Sequence, residues 1–139
     1  MKTIEIHLPS ILGAEKVAMQ KARIIAKNMG FSEDRIEDLK TALAEACINA
    51  IEHGNHSINQ ECITVYLAAE DSSLRMVVRD SGKGFEFKGL KNSTRRRSIP
   101  HRRGWGIFMI RKLVNEVSFD IMPDGGSEIR MVIHLEHKT

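Results

Sequence analysis

The sequence predicts an α+β fold: a two-layer sandwich in which a mixed, mostly antiparallel sheet is covered on one face by helices. Three observations carry this. The chain opens on a segment with apolar residues at every second position, and such segments recur in its second half. Two long stretches with helical apolar spacing follow the first of them. The resulting order, β-α-α-β-β-loop-α-β-β, implies mostly antiparallel pairing with helices packed on one side.

The first strand rests on Ile4, Ile6 and Leu8, which alternate with Thr3, Glu5 and His7. Ser10 is placed to cap a first helix that runs to about Met29, with Ala14, Val17, Ala18, Ala22, Ile25 and Met29 at helical spacing and Gly30 as its stop. Ser32 caps a second helix, whose first turn carries Glu33 and Asp34. It reaches about His53 and ends at Gly54-Asn55. Ile63, Val65 and Leu67 form the next strand. The polar turn Glu70-Asp71-Ser72-Ser73 then leads to Leu74, Met76 and Val78, a hairpin. Residues 81 to 103 are polar, glycine-containing and aperiodic, and a loop that long inside a compact domain usually has a function. A third helix is expected from about Gly106 to Asn115. Val117, Phe119 and Ile121 make a strand, Pro123-Asp124-Gly125-Gly126 a turn, and Ile129, Met131, Ile133 and Leu135 the last strand.

Composition bounds the function. At 139 residues the chain has the usual size of one domain, and 42% hydrophobic with 28% charged residues is a globular balance. No apolar run approaches the ~20 residues of a membrane span, and the N-terminus lacks a signal-peptide core, so a cytoplasmic protein is expected. Cys47 and Cys62 lack the spacing of a disulfide framework or zinc site. The net charge of +3 is local. Arg95, Arg96, Arg97, His101, Arg102 and Arg103 crowd one stretch behind Lys88 and Lys91, and the chain without them is acidic. That suits one anionic ligand or partner better than a nucleic-acid-binding face. One Trp and one Tyr offer little for base stacking, so no nucleic acid and no membrane are expected as partners.

Three segments hold groups with chemical potential. On the second helix, Asn49 lies ~40° and His53 ~80° round from Glu45, whereas Ile36, Leu39, Leu43, Ala46 and Ala50 centre roughly 140° away. Glu45 and Asn49 are therefore either a solvated polar stripe or a base and a metal ligand one turn apart. Asp80 ends a strand in phase with Leu74, Met76 and Val78, so it points to the covered face, where an unpaired carboxylate is costly. Gly82 and Gly84 follow it, either as an ordinary turn or as a backbone open to a flat ligand. Gly82 stands where a calcium loop needs Asp or Asn, and no dinucleotide-binding glycine fingerprint opens a helix here. Arg102-Arg103-Gly104-Trp105-Gly106-Ile107 precedes the third helix, where free N–H groups and charged donors would meet an anion. His7, His56, His101, His134 and His137 read as surface residues, His53 as a structural one, and the cysteines as buried apolar ones.

Taken together, E-A-x-x-N-A-x-x-H, D-x-G-x-G-F, G-x-G-I-x-x-I and Gly126-Ser127 before a terminal strand resemble the GHKL ATPase superfamily of gyrase, histidine kinases and MutL-type proteins, with its Bergerat ATP-binding fold. The wording TALAEACINAIEHGN and GWGIFMIRKLVNEV is similar to the anti-sigma-factor serine/threonine protein kinases, over nearly the whole chain. The resemblance implies one kinase domain over residues 1–139, with an ATP lid at about 86–103. It implies Asn49 as the Mg²⁺ ligand, Glu45 as general base and Asp80 as acceptor from the adenine amine. Gly82, Gly84 and Ser127 would attend the base, and Gly104, Gly106 and Ile107 the phosphates, with Arg102 or Arg103 at the γ-phosphate. The implied activity is ATP- and Mg²⁺-dependent phosphorylation of a small anti-sigma-factor antagonist. The implied partners are that antagonist and a sigma factor, and such proteins often form homodimers. The alternative is a nucleotide-dependent binding switch with little kinase activity. Three departures stand out: Ser127 where Thr is usual, the basic Arg95-Arg96-Arg97 run, and Trp105 where Leu or Met is common.

Overall fold

A computed structural model describes residues 2–53, 62–80, 101–123 and 126–136, with residues 2, 53, 62 and 101–106 described by their backbone. The elements in chain order are β1 (Lys2–Pro9), α1 (Glu15–Met29), α2 (Glu33–His53), β2 (Cys62–Ala69), β3 (Ser73–Asp80), α3 (His101–Leu113), β4 (Glu116–Ile121) and β5 (Ser127–His134). The five strands form one sheet in the order β1-β2-β3-β5-β4. All four ladders are antiparallel, so the parallel pair of a mixed sheet does not occur among the described residues.

The period-two pattern does what it should. Ile6 and Leu8, Val65 and Leu67, Leu74, Met76 and Val78, and Ile129, Met131 and Ile133 are all buried on one sheet face. α1 and α2 cover that face, and α3 packs along α2. Ile36, Leu39, Leu43, Ala46 and Ala50 are buried in the same core, as the helical spacing demanded. Each fully buried Ile or Leu contributes about 1.5–3 kcal/mol relative to exposure.

Helix ends follow from particular residues. Ser32 Oγ accepts from the Arg35 N–H at 3.2 Å, the expected cap of α2. Gly30 takes the left-handed conformation at φ 101°, and its N–H meets Ala26 and Lys27 carbonyls, which stops α1. The other end of α1 differs from expectation. The helix begins at Glu15 and not beside Ser10, because Gly13 at φ 106° is outside helical space. Glu15 turns back to accept from the Gly13 N–H at 2.8 Å, and the N-cap residue Ala14 supplies no side-chain cap. Ile11 and Leu12 consequently stay exposed.

α3 also departs. It starts at His101, so Arg102, Arg103, Gly104 and Gly106 belong to its first turns and residues 101–103 are not lid. Propensity alone places a helix start after the last glycine, since each glycine costs about 1 kcal/mol. Packing overrides it: Ile110 and Val114 are buried in the common core and hold the helix axis.

Candidate nucleotide site

The site is built where the C-terminal part of α2 meets the open ends of β3 and β5. Asp80 is the last residue of β3 and Ser127 the first of β5, and the two are cross-strand partners. Asp80 is buried, at 7% exposure, and the Ser127 hydroxyl donates to its Oδ2 at 2.9 Å. The donor that the sequence required for this carboxylate is thus supplied by the chain's own hydroxyl.

Asn49 corrects one reading. It does not belong to a solvated stripe: it is 5% exposed, and its Nδ2 is buried without a hydrogen-bond partner among the described residues. The helical wheel misplaced it because α2 is enclosed by more than the sheet, with α1 and α3 packed against it as well. An unmet amide donor in a core costs about 1–3 kcal/mol. Asn49 lines a recess with Ala50, Val78, Ile107, Phe119, Ser127 and Ile129. The fold therefore gathers Asn49, Ile107 and Ser127 on one recess and ties Asp80 to it through Ser127. Glu45 stands one turn before Asn49, half-buried and outside that lining.

Gly82 and Gly84 lie outside the described residues, as does the lid through residue 100. The backbone of Arg102, Arg103, Gly104 and Gly106 lies in the first turns of α3, the helix that brings Ile107 to the recess. Phe119 was not singled out as a site residue. Its signal was its phase: it shares the covered face with Val117 and Ile121, yet stays 39% exposed. Cys47 is buried on α2, and its thiol is pushed up to about 12 by burial and then by the nearby Glu15 carboxylate, so it is no nucleophile at neutral pH. His7 and His134 are exposed and pair with Glu5 and Glu116, as surface histidines do.

A helix-covered antiparallel sheet with a buried amide, a carboxylate at a strand end and a helix over one recess defines a class of ATP-binding domains. Residues 9–133 match the histidine kinase-like ATPase domain, and the chain belongs to that family, within the branch of serine-protein kinases named RsbW. The RsbW of Bacillus cereus is 30% identical over 97% of this chain and 86% of its own length. Among solved structures, the RsbU and RsbW domains of Rv1364c from Mycobacterium tuberculosis superpose with a TM-score of 0.73 at 22% identity, over 100% of this chain and 34% of that one. The SiaB–SiaC complex of Pseudomonas aeruginosa follows at 0.63 and 15%, over 94% of this chain and 88% of the other. These two likenesses concern the fold.

Proposed function

We propose that this chain is a protein serine/threonine kinase that transfers the γ-phosphoryl group of ATP to a small anti-sigma-factor antagonist, and that it holds a sigma factor when that antagonist is phosphorylated. The observation that carries the reading is Asn49: a buried side-chain amide, unpartnered at Nδ2, on the recess shared with Ser127. Among the described residues nothing accepts from Nδ2, and an oxygen of a ligand in the recess would.

In this reading Asp80 accepts from the adenine amine, and Ser127 holds Asp80 by the 2.9 Å bond. Gly82 and Gly84 let the base approach. Arg102, Arg103, Gly104 and Gly106 serve the phosphates, since charge-assisted donors and backbone N–H groups suit them. The Asn49 side-chain oxygen is the protein group that would hold Mg²⁺. One neutral side-chain oxygen suits Mg²⁺, which is held by one or two protein groups together with phosphate oxygens and water. When bound, Mg²⁺ neutralises phosphate charge and fixes its orientation. Glu45 takes the proton of the attacking serine or threonine hydroxyl as its oxygen bonds to phosphorus and ADP leaves. Its place one turn before Asn49 puts it on the same rigid element. The kinase acts in the cytoplasm, alone or as a homodimer, with the lid running from about residue 86 to the start of α3.

The direct test is incubation with labelled ATP, Mg²⁺ and a purified antagonist domain. Label should reach the antagonist with the wild-type chain and not with Glu45→Ala. Tight ATP binding without any transfer would favour the switch module instead.

A further inference from the structure

Behind the Asp80–Ser127 pair, on the opposite face of the sheet, lies a group that the proposed chemistry does not use. Glu128 is only 4% exposed although its strand position faces away from the helices. Arg79, its cross-strand partner on β3, donates from Nε at 3.1 Å and approaches with Nη2 at 3.0 Å. Arg130, two residues along β5, donates from Nε at 2.6 Å. Asp120 on β4 is its other cross-strand neighbour and adds negative charge beside Arg130. Both arginines remain about half exposed, so they close over the carboxylate while their outer edges stay in water.

A buried carboxylate held by two arginines is weak evidence for stability, because an apolar replacement often stabilises more. Its value lies in specifying an arrangement. The arrangement here is local: Arg79–Glu128 and Asp80–Ser127 are consecutive rungs, and the second is the last rung of both strands. Terminal rungs fray unless something ties them. The grip spans β3 and β5 one residue from that rung.

We propose that Glu128 is a positioning residue for purine recognition: by holding Arg79 and Arg130 behind the sheet, it keeps the terminal rung closed, so that Ser127 fixes the Asp80 carboxylate for a 6-aminopurine. This rests on Asp80 being the adenine contact. Opening of the rung would let Asp80 turn, and the loss would fall on the exocyclic amine and not on phosphate contacts elsewhere.

The experiment compares ATP with purine riboside triphosphate, which lacks the 6-amino group, by calorimetry on wild type and Glu128→Gln. The wild type should prefer ATP by about tenfold, the worth of one hydrogen bond to a charged acceptor. In Glu128→Gln that preference should shrink to about twofold, with purine riboside triphosphate affinity unchanged within about twofold. If the variant keeps the full preference, or weakens both nucleotides equally, the positioning role is overturned and the adenine contact stands. If the wild type shows no preference, the adenine reading of Asp80 itself falls. Should Glu128→Gln not melt as a folded protein, Glu128→Asp, which keeps the charge and shortens the reach, is measured the same way against the same outcomes.

Discussion

The two ends of α2 bury polar side chains in opposite ways. Near its start, Arg35 donates from Nη1 to Asp38 Oδ2 at 3.0 Å and to the Leu113 carbonyl at 3.2 Å, and from Nη2 to Asn115 Oδ1 at 3.1 Å. Its Nε, without a hydrogen bond, faces Glu136 at 3.8 Å. One guanidinium thus closes the C-terminal end of α3 and ties it to α2, where a cation also suits the helix dipole. Near the other end, Asn49 is buried with Nδ2 unmet. A polar group partnered within its own chain serves the fold. One buried without a partner weakens the fold, and is explained by what it binds. The contrast divides α2 into a structural half and a ligand-facing half, and substitutions should respect the division.

The largest effect is expected at Glu45. Glu45→Ala should keep ATP affinity and lose phosphotransfer by ~10²-fold or more, as removal of a general base does. Parallel calorimetry and transfer assays check this, and equal loss of both would make Glu45 a structural residue. Next comes the other half. Arg35→Ala breaks three hydrogen bonds and strips Asp38 and the Leu113 carbonyl of their shared donor, while Asn115 keeps the His134 N–H, so it should lower unfolding free energy by about 1–3 kcal/mol. ATP affinity, measured where the variant remains folded, should not move. A change in affinity without loss of stability would erase the division of the helix.

Asp80→Asn should weaken ATP binding by about tenfold while leaving the fold intact, because the amide mismatches the adenine amine. Unchanged affinity in a folded variant would remove Asp80 from the site. A smaller, pH-dependent effect belongs to Glu128. Burial would raise its carboxyl, but hydrogen bonds from Arg130 and Arg79 outweigh this and hold it below its usual value. A depressed value in the folded state means stability present above about pH 4.5 and lost as the pH falls through the folded value. Melting across pH 3 to 6, to about half a unit, should show a shallower acid slope in Glu128→Gln than in wild type. The smallest effect is at the basic run. Changing Arg95, Arg96 and Arg97 together to Ser should leave melting and ATP affinity nearly unchanged, and should slow association with an acidic partner most at low salt. Lost ATP affinity with an unchanged on-rate would assign the run to the nucleotide.

Much of this was legible before any coordinates. Ser32, Gly30 and the alternating strands announced their elements because capping, left-handed backbone and period-two burial are local properties of the chain. Asp80 was legible for the same reason: its phase put it on the covered face, and only a donor could keep it there. What stayed hidden were relations between distant segments. Asn49 looked solvated on a helical wheel because the wheel knows one apolar stripe, whereas α2 is enclosed by two helices and the sheet. Glu128 carries no signal in the sequence, because its burial depends on Arg79, which the β3–β5 register brings opposite it. The start of α3 was misjudged because its glycines speak against a helix that its buried Ile110 and Val114 support.

The central claim is that the amide of Asn49 is buried for a metal-bound nucleotide and not for the fold. Calorimetric titration of ATP into wild type and Asn49→Ala, each with and without Mg²⁺ and each accompanied by a thermal melt, tests it most directly. The expected result is a Mg²⁺-dependent gain in ATP affinity in wild type that Asn49→Ala loses, by about tenfold or more, with melting unchanged or slightly raised. Asn49→Ala that melts markedly lower yet keeps the Mg²⁺-dependent affinity would contradict the claim, and would return Asn49 to the structural half of α2.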